Sequence, residues 1–408
     1  MNKSSWLPDI LDRVGLHLGG LALPSWLPWS RKGKAGAEAA KLRQMQREFE
    51  EATVRLGIIG ESGSGKSSLI NAIVGQPVAP VGALVETTQG PQEVPVNGLT
   101  LVDLPGCGTP NWPRDSYIQR LKLLESYDGF ILVTAHRLKE CDALLYDQLA
   151  RKARKPFFVV RSHFDQAVAA HEPRHAREVI THYVRHQLKA EPGTPVYLVS
   201  SVGTEHYDLE QLILDIRNAL PDWKQVRFIM AAHAYGAATL AKKREAAEKV
   251  VGVYAGLAAA NAFNPIPGLD IGLDIALLTR MARYIIATFG LTQEQIEALK
   301  AEAGKRKWAY RALQEVADRF APYLAEKFVV AALRRAGREV AVRSTAKWVP
   351  VVGTLISAGV GYQLALRYGM KLIDDCEVAA REISASLEGR AEFLPRDVIP
   401  VRDSQTAS

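Results

Sequence analysis

Residues 56–74 constrain what this 408-residue chain can fold into more than any other segment. A strand-like apolar run is followed by a glycine-rich octet and then by a helix-compatible run. The octet comprises Gly60, Glu61, Ser62, Gly63, Ser64, Gly65, Lys66 and Ser67, and Ser68 follows it. Its glycines let backbone N–H groups turn around a phosphate, Lys66 can reach the β- and γ-phosphate oxygens, and the Ser67 hydroxyl can ligate Mg²⁺. With a strand before it and a helix after it, the octet predicts a binding site for a nucleoside triphosphate.

The run at residues 99–106 predicts a turn that senses the nucleotide. An apolar strand ends at Asp103, and a Leu-Pro-Gly sequence ending at Gly106 completes the Asp-x-x-Gly arrangement of GTPases. In that arrangement Asp103 would hold Mg²⁺ through a water molecule, and the Gly106 backbone N–H would contact the γ-phosphate. Ser67 and Asp103 are therefore predicted to hold the metal.

The strand-like run at residues 157–161 leads to Asp165, which favours guanine as the base. A carboxylate there accepts hydrogen bonds from the imino and exocyclic amino groups of guanine, whereas adenine presents only a ring acceptor. Two positions before Asp165, where GTPases most often have a lysine along the base, this chain has His163. An imidazole can stack on a purine, and an ATP-dependent enzyme is a distant alternative that rests only on His163. Ser200 and Ser201 follow the next strand, where a final base-contacting loop belongs.

Together these segments resemble the immunity-related GTPases, the interferon-inducible type of the dynamin-like GTPases, in a bacterial form. Beyond the octet, the matching stretches are residues 103–108, 111–117, 134–142, 160–165 and 206–208. The likeness covers the whole predicted GTPase domain and, more loosely, the helical part after it. It implies a protein that hydrolyses GTP and forms nucleotide-dependent dimers across the GTPase face.

The resemblance also implies catalytic roles for residues outside the phosphate-binding motifs. Many GTPases use a Gln directly after the Asp-x-x-Gly turn to orient the attacking water, but this chain has Cys107 there, so intrinsic hydrolysis is expected to be slow. The family's switch-loop glutamate matches Glu86, and its Mg²⁺-contacting threonine matches Thr88, with Thr87 as the alternative. The basic residue that acts across the dimer matches Arg137, which could neutralise developing charge as an arginine finger does.

The basic charge of the chain lies outside the predicted nucleotide domain. The formal net charge is +7, and residues 222–408 carry 26 Lys and Arg against 20 Asp and Glu. Residues 305–347 alone hold 11 basic and 4 acidic side chains. This excess favours contact with an anionic surface, either phospholipid headgroups or RNA. We expect an anionic membrane rather than nucleic acid as the partner, and a ribosome- or RNA-associated GTPase stays an alternative.

Two uncharged apolar stretches, residues 250–269 and 348–366, also bear on whether the protein contacts a membrane. The length of each stretch is close to the ~20 residues that a membrane-spanning helix needs. Each stretch also contains Pro and many small residues. The sequence leaves open whether they are buried core helices or membrane-inserting segments. They also resemble membrane-associated regions appended to other bacterial GTPases, a weaker likeness limited to the C-terminal part.

The N-terminal region suits a membrane interface as well. Trp6, Trp26 and Trp29 lie among many leucines and precede a basic run at residues 31–34, a combination typical of membrane–water boundaries. Residues 36–52 then show apolar positions at helical spacing, which predicts an amphipathic helix that packs on the helical domain.

Cysteine and histidine spacing predicts neither a disulfide framework nor a zinc motif. The cysteines are Cys107, Cys141 and Cys376. Their wide separation fits a reducing interior. His175, His182 and His186 fall on one face of a predicted helix. A metal site there is the less favoured interpretation, because no carboxylate or thiolate motif joins these histidines.

The predicted fold is an α/β P-loop GTPase domain with an all-α domain formed by the N- and C-terminal regions. Strand-like and helix-like runs alternate in residues 53–221, which predicts a doubly wound, mostly parallel sheet with the nucleotide at the strand carboxyl ends. The strand-like runs are 54–59, 99–102, 130–133, 157–160 and 196–199. The predicted domains are an N-terminal helical segment (1–52), the GTPase domain (53–221), a helical domain that is a candidate for membrane association (222–394) and a flexible tail (395–408).

The predicted function is hydrolysis of GTP to GDP and phosphate with Mg²⁺, coupled to self-assembly as a dimer or oligomer. We expect a cytoplasmic protein that associates with a membrane. The alternative from another class is a GTP-regulated switch or scaffold with negligible turnover, which Cys107 favours.

Overall fold

The computed structural model describes residues 32–79, 90–200, 206–261, 269–303, 307–320 and 350–387. Several sequence predictions lie outside the described residues: Glu86, Thr87, Thr88, Ser201, the tryptophans at 6, 26 and 29, most of the basic stretch 305–347, and the tail from residue 395.

Six strands form one mixed sheet in the order β2-β3-β1-β4-β5-β6. They are β1 (Val54–Ile59), β2 (Gln92–Val96), β3 (Leu99–Asp103), β4 (Gly129–Thr134), β5 (Phe157–Arg161) and β6 (Val196–Leu198). All pairs except β2–β3 are parallel, so the mostly parallel sheet predicted from five strand-like runs is confirmed. The sequence did not predict β2, because its start is polar and it contains Pro95; proline is tolerated on an edge strand such as this one.

Helices cover both faces of the sheet. They are α1 (Lys32–Glu51), α2 (Lys66–Val74), α3 (Tyr117–Arg120), α4 (Leu123–Ser126), α5 (Glu140–Leu145, continued by a π-helix over Tyr146–Lys152), α6 (Phe164–Ala170), α7 (Pro173–Leu188) and α8 (Leu209–Ala219). Side chains alternate between the faces of a strand. Leu56 and Ile58 of β1 accordingly join one buried cluster with Ile70 of α2, whereas Ile59 joins a second cluster with Phe130. The doubly wound arrangement follows from this alternation.

The C-terminal part of the described chain is helical. Its elements are α9 (Asp222–Ala231), α10 (Ala237–Asn261), α11 (Leu269–Thr288), α12 (Gln293–Ala303), α13 (Lys307–Phe320) and α14 (Pro350–Leu387). Leu42 and Phe49 of α1 are buried in the cluster that these helices share with one face of the sheet. Arg227 of α9 donates hydrogen bonds to the backbone oxygens of Phe49 (2.9 Å) and Glu50 (2.8 Å). The prediction that an N-terminal amphipathic helix packs on the helical region is confirmed.

Where side-chain burial is described, the two apolar stretches lie largely inside the protein. Residues 250–261 belong to α10, and most of their side chains are buried. In the second stretch, Tyr362, Ala365 and Leu366 of α14 are buried. By length and composition alone, one segment of the described chain could cross a bilayer, Ile275–Lys300, and half of it is buried within the protein. These positions favour the core interpretation for residues 250–260 and for residues 362, 365 and 366.

Candidate nucleotide-binding site

The glycine-rich octet lies at the carboxyl end of β1, where the chain turns into α2. Residues 60–65 form the loop, and Lys66, Ser67 and Ser68 begin α2. Gly60 has a φ of 149°, and a Cβ at this position would lie 2.2 Å from the backbone oxygen of Val133. Only glycine fits so close to β4 at such a φ angle. The loop therefore presses against the sheet, with the amino end of α2 facing the carboxyl edge.

Lys66 is held inside this loop. Its side chain donates hydrogen bonds to the backbone oxygens of Gly60 (3.2 Å) and Glu61 (3.0 Å). The Lys66 Nζ also lies 3.6 Å from the Asp103 Oδ1, and the residue is only 7% exposed. The ammonium group is thus buried at the centre of the loop, where it can exchange carbonyl contacts for stronger contacts with phosphate oxygens.

Asp103, the last residue of β3, meets the start of α2. The Ser67 hydroxyl donates to the Asp103 Oδ2 at 3.3 Å. Burial raises the pKa of Asp103, and the nearby Lys66 and Ser67 oppose that rise. Among the described residues, the Asp103 Oδ1 and the Ser64 Oγ are buried without a hydrogen-bond partner. Buried polar atoms normally have partners, and oxygen ligands of this kind suit Mg²⁺. The side chains present therefore fit a magnesium-bound phosphate chain.

Ser162 supports the loop from the carboxyl end of β5, a role that the sequence analysis missed. Its hydroxyl lies 2.7 Å from the backbone oxygen of Ser64 and 3.2 Å from that of Thr134. Ser162 is 5% exposed and follows β5 directly. Its place immediately before His163 in the base-recognition segment was the one signal that could have singled it out.

Replacing Ser162 by alanine should weaken GTP binding about tenfold, or ~1.4 kcal/mol, because the Ser64 carbonyl would lose a buried donor. Titration with a fluorescent GTP analogue measures this. Ser126→Ala, at an exposed helix end, is the matched control and should bind normally. Equal affinities for the two variants would contradict the supporting role of Ser162.

The predicted base-contacting residues lie beside the loop. His163 takes a φ of 55° at the start of α6, and its Nε2 would lie 3.7 Å from a Cβ at Gly65. Asp165 lies in the first turn of α6 and is partly exposed. The backbone N–H of Phe164 donates to the Val199 oxygen at 3.1 Å, which joins this turn to the segment that contains the buried Ser200. The structure thus places His163 beside Gly65 of the octet and Asp165 on the adjoining turn.

Arg137 is exposed on the loop between β4 and α5. Its backbone oxygen accepts a hydrogen bond from the Thr134 hydroxyl at 3.2 Å. Two residues later, Lys139 forms an ion pair with Glu61 of the octet. This contact ties the loop to the nucleotide site and leaves the Arg137 guanidinium facing solvent.

Cys107 follows Gly106 directly and is partly buried. Burial, and next the neighbouring Cys141, raise the pKa of the Cys107 thiol. Two cysteines that are well separated in sequence are therefore neighbours in space, which their spacing had concealed. Cys376 is buried in α14.

The three histidines of the less favoured metal site lie on α7. The rings of His182 and His186 are 6.4 Å apart, and both residues are exposed. Within the described residues, no group of three or more His, Cys, Asp or Glu side chains could hold a metal ion.

Comparison with known proteins identifies relatives over most of the chain. A family model described as interferon-inducible GTPase (IIGP) matches residues 30–358. Interferon-inducible GTPase 5 of Rattus norvegicus is 28% identical over 343 residues, which cover 79% of this chain and 73% of the relative. T-cell-specific guanine nucleotide triphosphate-binding protein 2 of Mus musculus is 28% identical over 263 residues, which cover 60% of this chain and 62% of the relative.

Solved structures with detectable similarity include two proteins with bound guanine nucleotides. Era from Aquifex aeolicus, bound to GDP and AlF4⁻, is 18% identical and covers 51% of this chain and 68% of its own, with a TM-score of 0.32. Toc33 from Arabidopsis thaliana, with Mg²⁺ and GMPPNP, is 14% identical and covers 42% of this chain and 80% of its own, with a TM-score of 0.28. At these TM-scores neither structure adds to what the sheet order and the family match establish.

Proposed function

The chain belongs to the interferon-inducible GTPase family, and from its GTP-binding fold we propose that it hydrolyses GTP slowly alone and faster when two copies pair. The single observation that carries the nucleotide site is the cluster of the buried Lys66 and Asp103 with Ser67, in which the Asp103 Oδ1 lacks a hydrogen-bond partner within the described chain. Lys66 would bind the β- and γ-phosphates, and His163 and Asp165 would bind the guanine.

Magnesium would be held by Ser67 and, through water, by Asp103, with Thr88 as the further ligand implied by the family resemblance. When bound, the ion would neutralise charge on the β- and γ-phosphate oxygens. The chain's own contribution is positional: Ser162 fixes the octet, and Lys66 places a cation beside the phosphates. Gly106 would contact the γ-phosphate through its backbone N–H.

We expect slow turnover by a single copy because Cys107 follows the Asp-x-x-Gly turn directly. A thiol packed against Cys141 cannot orient an attacking water as a glutamine amide does. Arg137, by contrast, is exposed on a loop tied to the octet by the Lys139–Glu61 ion pair. We propose that Arg137 acts on the nucleotide of a second copy and that Glu86 acts in the same interface.

The experiment that tests this proposal is GTP hydrolysis per molecule over a range of protein concentrations, with ATP as the control nucleotide. Specific activity should rise with concentration if pairing completes the site. A flat, negligible rate with tight GTP binding would favour the second candidate, a GTP-regulated switch or scaffold, which the presence of Cys107 supports.

Arg137→Ala should lower the concentration-dependent turnover at least about tenfold, since an arginine acting across an interface stabilises charge in the transition state. GTP affinity should stay within about tenfold, ~1.4 kcal/mol, because Arg137 is exposed and the phosphates would be bound by the octet. Arg151→Ala removes a similarly exposed arginine and is the control. Glu86→Ala should behave as Arg137→Ala does, and normal turnover in both variants would rule out this mechanism.

Membrane association is the remaining part of the proposal. Its support is the basic excess of residues 305–347, most of which lie outside the described chain. Flotation with anionic vesicles should recover the protein, and neutral vesicles should not, because headgroup attraction depends on charge. Binding of RNA in a gel shift, without flotation, would instead favour the RNA-associated alternative.

A further inference from the structure

Two thiols meet beside the turn that follows Asp103. Cys107 comes directly after Gly106, and Cys141 is the second residue of α5, where it is 5% exposed. A Cβ added to Gly108 would lie only 2.8 Å from the Cys141 Sγ, so this sulfur rests against the residue next to Cys107. The Cys141 side chain also lies close enough to Cys107 to raise its pKa, after the larger effect of burial.

We propose that Cys107 and Cys141 form a reversible disulfide that ties the turn after Asp103 to the start of α5. The oxidant would be a low-molecular-weight disulfide. One cysteine thiolate attacks it and forms a mixed disulfide with release of one small thiol; the second cysteine thiolate then attacks the protein sulfur of that bond and releases the other small thiol. The two protein thiols lose two electrons and two protons, and the small disulfide gains them.

The surroundings set the order and the rate of this exchange. Cys107 is partly exposed and Cys141 is buried, so the small disulfide reaches Cys107 first. Because thiolates are the attacking species, the raised pKa of Cys107 makes the first step slow in the arrangement described here. Arg114 lies beside both thiols and opposes part of that rise. The pair should therefore respond to sustained oxidation and not to brief exposure.

A disulfide at this place would restrain Gly106. The segment is already held by the Tyr117 hydroxyl, which donates to the Pro105 oxygen at 2.5 Å, and by the Gly108 N–H, which donates to the Trp112 oxygen at 2.9 Å. A covalent tie would add to these restraints and limit how far the turn can adjust when Gly106 contacts a γ-phosphate, so it should lower turnover. That consequence rests on the proposed GTPase function, whereas formation of the bond does not.

The test uses the full chain, reduced and then incubated with oxidised glutathione. Peptide mapping under non-reducing conditions should recover a linked pair of peptides that contain Cys107 and Cys141, and dithiothreitol should separate them. Cys376→Ser should form the same link, because Cys376 lies elsewhere in the fold. Turnover should fall about tenfold on oxidation and return on reduction, and Cys107→Ser and Cys141→Ser should each keep their own reduced rate in the presence of oxidant.

Each other result would overturn a defined part of the proposal. Free thiols after oxidation, a glutathione adduct that never resolves, or a link to Cys376 would each refute the disulfide. A Cys107–Cys141 link that leaves turnover unchanged would refute its effect on Gly106. If the reduced protein hydrolyses no GTP, the proposed function fails, and the peptide map of the wild-type chain still decides whether the disulfide forms.

Discussion

Replacement of Lys66 by alanine should weaken GTP binding by about 10²–10⁴-fold. Hydrogen bonds to charged groups contribute about 1.5–3 kcal/mol each, and Lys66 is positioned to make two of them with phosphate oxygens. The ammonium also lies 3.6 Å from the buried Asp103. Its loss would remove the opposite charge that lowers the pKa of Asp103, so that pKa would rise further.

Isothermal titration with GTP in the presence of Mg²⁺ measures the change. Lys152→Ala, at a side chain that is 61% exposed on the π-helix, is the control and should bind as the wild type does. Far-ultraviolet circular dichroism should show that both variants are folded. A folded Lys66→Ala variant with unchanged affinity would refute the assignment of residues 60–67 as the phosphate-binding loop.

The unfolding free energy of the wild type should rise by about 2 kcal/mol more than that of Lys243→Met between pH 7 and pH 9. Lys243 of α10 is 4% exposed, and burial lowers its pKa to about 7. Its Nζ donates to the backbone oxygens of Met230 at 3.3 Å and of Thr288. A neutral amine has two N–H donors, which these two carbonyls can accept, whereas the ammonium form also carries the cost of charge burial.

The sign follows from proton linkage. Between the folded pKa near 7 and the unfolded value near 10.4, the unfolded chain binds more protons than the folded chain, so stability increases with pH across that window. Below pH 7 both states are protonated and the dependence flattens. The neighbouring His233 has its pKa lowered to about 4 by burial, and therefore stays neutral throughout the window in the folded protein.

Chemical denaturation at half-unit pH steps measures the two stability curves. The control is Lys242→Met, because Lys242 is the adjacent residue, with a side chain that is 40% exposed and paired with Glu245. Its curve should run parallel to that of the wild type. If the stability curve of Lys243→Met also runs parallel to that of the wild type, Lys243 is protonated in the folded protein at these pH values.

Short-range signals account for what the sequence predicted correctly. The octet needs only contiguous residues, because glycines, lysine and serine act through the local turn between β1 and α2. The parallel strands were recognisable as apolar runs that are buried on both faces. The amphipathic helix α1 was recognisable because Leu42 and Phe49 recur at helical spacing, and both are buried.

Contacts between distant segments account for what the sequence analysis missed. β2 became a strand only because β3 supplies its hydrogen-bonding partner, since Pro95 and its polar start argue against an isolated strand. Ser162 reaches Ser64 across the sheet at 2.7 Å, and no local pattern encodes that contact. No local pattern reveals the burial of Lys243 either, because the charged residues around it in the sequence are typical of an exposed helix face.

By itself the sequence determined that this chain has a phosphate-binding loop, a mostly parallel sheet and a helical region, because each depends on the order of residues within one short segment. The tertiary structure decided which side chains from different segments meet: Lys66 with Asp103, Ser162 with Ser64, Cys107 with Cys141, and Lys243 with the ends of two helices. These pairs are set by the register of parallel strands and by helix packing, and strand register and helix packing are fixed only when the whole core forms.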